Sequence, residues 1–414
     1  MNTKKLATAI ATSALLINAM APAFAFAETT IQVTGNGSYS DNDAKVEQKS
    51  TTEVVQTNTA NVTNNVSGNA STGGNDANDN TGGDVAIVTG DAKSVADVSN
   101  TLNSNSADVV NCNCEDDTKV VISGNGSESD NYVKVKNSNN TGVYQDNDAK
   151  VSNSVETKAS TGYNDANRNT GGDTTIITGD AKAKASVSTV ANANEASIGG
   201  GNGHDGGSLR AIISGNGSYS DNDIRIYNNN DTTLVQGNDA DIYNWVEAKA
   251  KTGSNDANDN TGGDVAISTG DALAIADVDN MVNFNAADLD CGCLTDVKVK
   301  IDGNGYESDN DVKVKLNDEK GLFQDNVDYT RNEVDAKAKT GYNEIERSTG
   351  DVEHPSDPVI VTGDATTHQN VSNTGNANVI GSGLGFHIPE LNVDVDFDLS
   401  LFWAWLNASS HTSN

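Results

Sequence analysis

The chain has 414 residues, 59 acidic against 26 basic side chains and a formal net charge of -33. So strong a negative charge argues against a nucleic-acid partner, which it would repel. Aromatics make up only 5% of the residues, glycine occurs 39 times and asparagine 56 times, a mixture that excludes large apolar cores and suits thin β layers joined by tight turns.

Residues 1–27 read as a secretory signal peptide. Lys4 and Lys5 form a charged start, Leu6 to Met20 an apolar stretch, and Ala25-Phe26-Ala27 an A-x-A cleavage site. The competing reading is a retained membrane anchor, but the stretch is short for a span and a good cleavage site follows it. No other segment is apolar enough for long enough to span a bilayer. The expected location is therefore secreted or at the cell surface.

Beyond residue 28 the sequence repeats. TGNGSYSDNDAKV from Thr34 returns as SGNGSESDNYVKV from Ser123, SGNGSYSDNDIRI from Ser214 and DGNGYESDNDVKV from Asp302, at intervals of 89, 91 and 88 residues. A second block, TGGNDANDNTGGDVAIVTGDA in the first copy, keeps step and degenerates in the fourth. Four repeats follow, at 28–122, 123–213, 214–301 and 302–385, and then a C-terminal segment at 386–414. A shorter beat runs inside each copy. Ala44, Ala60, Ala77 and Ala92 lie 16, 17 and 15 residues apart, as do Val133, Ala149, Ala166 and Ala181.

Around these positions small apolar residues alternate with polar ones, the period-2 signature of strands with one buried face. The fold class is therefore all-β. The shorter beat predicts a repetitive β-solenoid whose coil is about 16 residues, with asparagine ladders along the stack. At roughly 4.8 Å per coil, about 22 coils would make a rod on the order of 100 Å long. The alternative is four tandem immunoglobulin-like β-sandwiches, whose length also matches the 90-residue period but which want more large apolar residues.

Some beats resemble the repeats of curlins, the subunits of secreted bacterial curli fibres. Asn42-Asp43-Ala44-Lys45-Val46-Glu47-Gln48 matches the N-x-A-x-V-x-Q half of a curlin repeat. Gln145-Asp146-Asn147-Asp148-Ala149-Lys150-Val151 and Gln236-Gly237-Asn238-Asp239-Ala240-Asp241-Ile242 look similar. The resemblance covers scattered heptads, the beat here is shorter, and Gln lies two residues before Asn rather than five. It implies extracellular fibre formation.

Within the second block, Asp76, Asn78, Asn80 and Asp84 fall at positions 1, 3, 5 and 9, the ligand spacing of a D-x-N-x-N calcium loop. Asp165, Asn167, Asn169 and Asp173 repeat the pattern, as do Asp256, Asn258, Asn260 and Asp264. Position 6 is Thr instead of Gly and position 12 is Ile87, Ile176 or Ile267 instead of Glu, which excludes an EF-hand. The two readings are a looser calcium turn and a plain tight turn built from Asn, Asp and Gly.

Cys112, Cys114, Cys291 and Cys293 form two Cys-x-Cys pairs. In an exported chain they point to disulfides, within a pair or between copies, because no His flanks either pair to complete a metal site. Near the C-terminus Val393, Val395, Phe397, Leu399 and Leu401 alternate strictly with polar residues, and Trp403 and Trp405 follow. This amphipathic strand reads either as a cap on the last coil or as an assembly segment that pairs with another subunit. The sequence has no G-x-S-x-G, H-E-x-x-H or P-loop pattern, so a non-enzymatic protein is expected. The favoured function is an acidic β scaffold or fibre that self-associates, with calcium as a stabiliser. The second is an adhesin stalk with a carbohydrate or cell-surface partner, for which Tyr39, Tyr219, Tyr163 and Tyr342 are the recurring turn aromatics.

Overall fold

The structure is a computed structural model and describes residues 19–20, 29–109, 118–199, 208–289, 296–350 and 357–381. These residues are all-β, without a helix. After the two-residue β1 (Ala19–Met20), the first repeat forms β2 (Thr29–Thr34), β3 (Asp41–Ser71), β4 (Val85–Val88) and β5 (Ala92–Val109). The second forms β6 (Thr118–Ser123), β7 (Asp130–Ser160), β8 (Thr174–Ile177) and β9 (Ala181–Ile198). The third forms β10 (Ser208–Ser214), β11 (Asp221–Lys251), β12 (Val265–Ser268) and β13 (Ala272–Leu289). The fourth forms β14 (Asp296–Asp302), β15 (Asp309–Lys339), β16 (Val359–Val361) and β17 (Ala365–Ile380).

Every sheet runs across the repeats. The orders are β3-β7-β11-β15, β2-β6-β10-β14, β4-β8-β12-β16 and β1-β5-β9-β13-β17, and every pairing is parallel. Each repeat is thus one layer, and equivalent residues stack on one another. Tandem sandwiches would instead pair antiparallel strands inside each repeat.

The layer also corrects the expected 16-residue coil. Asn42 stacks on Asn131, 89 residues away, and Asn131 on Asn222, 91 residues away. A tall stack of short coils is therefore replaced by four wide layers. The shorter beat spaces inward alanines around one layer: Ala44 and Ala60 sit on the same strand, Ala77 on the turn after it and Ala92 at the start of β5.

The wide layers rest on 31-residue strands, each about 100 Å long when extended. Such a strand far exceeds the usual length, and like side chains stacked on one another, such as Asn147 on Asn238, help to hold it. In the first layer β3 forms one wall. The facing wall is β2 and β5: Gln48 Nε2 donates to Thr29 Oγ1 (3.1 Å), Gln56 Nε2 to Ser106 O (2.9 Å), and Asn64 Nδ2 to Asn100 Oδ1 (2.9 Å). At one end Thr72 Oγ1 donates to Gly90 O (2.7 Å), closing the turn between β3 and β5.

The thin space between the walls holds Ala and Val, such as Val155, Ala159, Ala183, Ala185, Val246 and Ala274, all at most 2% exposed. Larger Ile and Leu gather where the short strands face the start of the long ones, at Ile122, Ile213, Ile224 and Ile226. Between these clusters the filling is amide. Asn147 Nδ2 donates to Asn238 Oδ1 above (3.0 Å) and to Asn194 Oδ1 across the layer (2.8 Å). Asn147 is thereby satisfied both along and across the stack, as burial of a polar group demands. Asn103, Asn192, Asn283 and Asn376 drop out of the ladder with φ between 52° and 62°, a left-handed bulge that asparagine tolerates. The Nδ2 of Asn192 reaches the carbonyl of Asp239 (2.6 Å).

Candidate functional site

The stacking turns the candidate calcium turns into columns. Asp76, Asp165, Asp256 and Glu344 lie in one column, joined by isolated parallel bridges. Their neighbours are turned along the stack. Asn78 Oδ1 accepts the N–H of Asn167 (2.6 Å), Asn167 Oδ1 that of Asn258 (2.6 Å), and Asn258 Oδ1 that of Glu346 (2.6 Å). Asn169 Oδ1 accepts from both the backbone and the side chain of Asn80 (2.9 Å each), and Asn260 Oδ1 takes the N–H of Asn169 (2.8 Å). Asp84 Oδ1 accepts the N–H of Asp173 (3.1 Å), and Asp173 Oδ1 that of Asp264 (2.9 Å). So the Asn and Asp oxygens at positions 3, 5 and 9 tie one layer to the next. Among the described residues no three His, Cys, Asp or Glu side chains gather around a common point.

The carboxylate columns carry an electrostatic cost. Partial burial, then the charges of Asp256 and Asp76, hold the Asp165 carboxyl above the usual range, and burial does the same to Asp256. Asp130 is raised by burial and by Asp221 and Asp41 in its own column. Asp180 is raised by burial and by Asp271 and Asp91. A carboxyl raised in the folded state makes the fold lose stability as pH climbs from the unfolded value of about 3.9 through the folded one. Asp79, Asp259 and Glu47 are held low by Arg168, Arg347 and Lys136, so their contribution is lost only as pH falls below that range. The melting midpoint is therefore expected to be highest near the ordinary carboxylate range and to fall as pH rises out of it. Calorimetry from that range upward checks this, and a midpoint that climbs steadily from pH 5 to 8 would contradict it.

Other columns change charge from layer to layer. Asp79, Arg168, Asp259 and Arg347 occupy equivalent places, all at positive φ, in the four layers. Arg168 binds Asp79 with Nε at 2.6 Å and Nη2 at 3.0 Å, and Arg347 binds Asp259 at 2.6 and 3.1 Å. On the long strand the column is Glu47, Lys136, Tyr227 and Lys315, with Lys136 Nζ 2.8 Å from Glu47. At the Gly-Asn-Gly turn it is Tyr39, Glu128, Tyr219 and Glu307, where the Tyr39 hydroxyl donates to Glu128 (3.1 Å). Sequence reading missed these columns because their members are about 90 residues apart and acquire meaning only once the register is known.

The tyrosines singled out for an adhesin are on the surface. Tyr39, Tyr163, Tyr219 and Tyr342 are exposed and sit at φ of 60–64°. Lys251 Nζ lies 3.6 Å from the Tyr163 ring centre, a cation–π contact. Cys112, Cys114, Cys291 and Cys293 lie outside the described residues, as do Val393, Val395, Phe397, Leu399, Leu401, Trp403 and Trp405.

The two end layers complete the picture. Among the described residues β3 pairs only with β7 in its sheet, and β15 only with β11, so the first and last long strands each present an edge unpaired by any described strand. In layer 4 the inward column Ala60, Ala149, Ala240 ends in Asp328, and Val62, Val151, Ile242 ends in Thr330. Thr330 Oγ1 donates to Asp328 Oδ1 (2.6 Å). The apolar cluster around Ala149, Val151, Ala240 and Ile242 accordingly has no member from layer 4. An inward carboxylate is a common device for blunting an exposed strand edge.

The chain has no significant match to a protein-family model, a curated protein or a solved structure.

Proposed function

We propose that this chain is an exported, non-enzymatic structural protein whose repeats form a β-solenoid of four wide coils and which self-associates into a surface or extracellular scaffold. The observation that carries the reading is the pair of long edge strands, unpaired among the described residues, at the ends of an in-register parallel stack. Such an edge is a ready template for another strand, and stacked amides add a ladder to it. The curlin-like heptads support the same reading, since Asn42, Gln145 and Gln236 all stand in amide ladders on the long strands. The signal peptide and the two Cys-x-Cys pairs support export.

Calcium enters this reading as a neutraliser of the Asp76–Asp165–Asp256 column, bridging carboxylates of successive layers, since Oδ1 of Asn78, Asn169 and Asp84 is engaged with the backbone of a neighbouring layer. Millimolar calcium is then expected to raise the melting midpoint above that in chelator; identical melts would remove calcium from the account. The adhesin reading rests on the exposed tyrosines, each held in a left-handed conformation that costs a residue other than glycine about 1–2 kcal/mol.

Electron microscopy and fibre diffraction of the mature chain test the scaffold. Filaments with a meridional reflection near about 4.8 Å support it. Discrete particles at every concentration and salt tried would favour the stalk.

A further inference from the structure

We infer that copies of this chain join head to tail, layer 4 of one on layer 1 of the next, and that the columns of changing charge fix this polarity. The inference rests on the self-association just proposed and names its interface.

In the Asp79–Arg168–Asp259–Arg347 column, the even layers carry arginine and the odd layers aspartate. An even number of layers therefore leaves Asp79 on one end and Arg347 on the other. A second copy set on layer 4 would place its Asp79 over Arg347, in the order in which Asp259 stands over Arg168 inside the chain. The strand column behaves alike at its ends: Glu47 lies at one and Lys315 at the other, so the junction joins opposite charges. The turn column would set Tyr39 of the incoming copy over Glu307, in the order in which Tyr219 follows Glu128 inside the chain.

The amide ladders have a direction as well. In the Asn42, Asn58 and Asn64 columns, Nδ2 donates toward the next layer's Oδ1. In the Gln56 column the donation runs the other way, with Gln324 Nε2 reaching Gln236 Oε1. Head-to-tail stacking continues both directions, whereas two like ends would bring acceptor to acceptor or donor to donor. The two edges also match in length, since β3 and β15 both have 31 residues in unbroken register with their neighbours.

Several columns oppose the junction: Asp309, Asp311, Glu344 and Asp364 would lie under Asp41, Asp43, Asp76 and Asp91 of the incoming copy, like charge on like. Asp328 would be covered by Ala60 of the incoming copy, and the groups around it, Ala240, Ile242, Asn326, Thr330 and Gly375, carry no charge to offset its own. The junction is thus weaker than the contacts between layers of one chain, and filaments are expected to shorten on dilution.

A charge-swap pair tests the inference. The first variant, Lys315→Glu with Arg347→Glu, reverses the layer-4 end. The second, Glu47→Lys with Asp79→Arg, reverses the layer-1 end. Alone at low salt, each is expected to elongate roughly tenfold or more slower than wild type, with the gap narrowing at high salt. Mixed in equal amounts, the two should co-assemble into alternating filaments, because both junctions then join opposite charges. Should the second variant melt early, Lys315→Glu alone, at an exposed end position, reports the same junction. Either variant elongating like wild type at low salt, or a mixture no faster than its parts, overturns the head-to-tail junction while leaving self-association standing. A wild type that never assembles overturns both.

Discussion

Replacing Gly162 by alanine is expected to destabilise the stack by roughly 3–5 kcal/mol, one of the largest effects available to a single methyl group. Gly162 belongs to the column Gly73, Gly162, Gly253, Gly341 at the start of the turn after each long strand. Its backbone is not left-handed, so alanine meets no strain of its own. The difficulty is the next layer. A Cβ on Gly162 would overlap the carbonyl of Gly253, which is backbone and held in place by the layer's own hydrogen bonds. The Thr161 N–H donates to Lys251 O (2.9 Å) and the Tyr163 N–H to Gly253 O (3.3 Å), so relieving the overlap breaks the ladder at its closest approach. Chemical denaturation with circular dichroism reads the loss. A variant within about 0.5 kcal/mol of wild type would mean that the layers do not lie this close.

That expectation depends on the layer being the 90-residue repeat, a point the sequence left open. The all-β class and the inward-outward alternation are legible because strands with one buried face must alternate. The ladders of Asn are legible in kind, since a chain with 56 asparagines and few large apolar residues has little else with which to fill a core. The coil length was misread because two periods coexist. Stretches such as Gln145–Asn147 and Gln236–Asn238 carry turn-forming residues, and by local propensity they end a strand. Here they run through the middle of β7 and β11, because Asn147 stacked on Asn238 is satisfied by its twin and has no need of a turn. Long-range register overrides local preference.

The turn at Asp76–Asp84 shows the same limit from the other side. Its spacing was legible, and so was the competing plain turn. What the spacing could not show is that Asn78 and Asp84 face the next layer and spend their oxygens on its amides. Asp328 was legible as a departure from alanine in the fourth copy, yet its inward place emerges only from the pairing with Ala240. The alternation of Asp79 with Arg168 was in plain view as a difference between copies. It becomes an electrostatic statement only when the two side chains are known to touch.

The glycine columns also separate folding from assembly. Gly341 occupies the same column as Gly162, but in layer 4, and a Cβ there meets nothing within 4 Å. Gly341→Ala should therefore fold and melt like wild type, within about 0.5 kcal/mol. Its methyl would, however, stand where the Gly73 carbonyl of an incoming copy must come, just as the Gly253 carbonyl approaches Gly162 inside the chain. Gly90→Ala makes the complementary change on layer 1. Its Cβ is likewise free in the single chain, while Cβ atoms on its column mates Gly179 and Gly270 would overlap the backbone of the layer before them.

The most direct test of a self-extending stack is negative-stain microscopy of Gly341→Ala beside wild type, under conditions where wild type forms filaments and with melting curves for both. The variant is expected to melt normally and to stay monomeric. Filaments of wild-type length from a normally folded Gly341→Ala chain would contradict it.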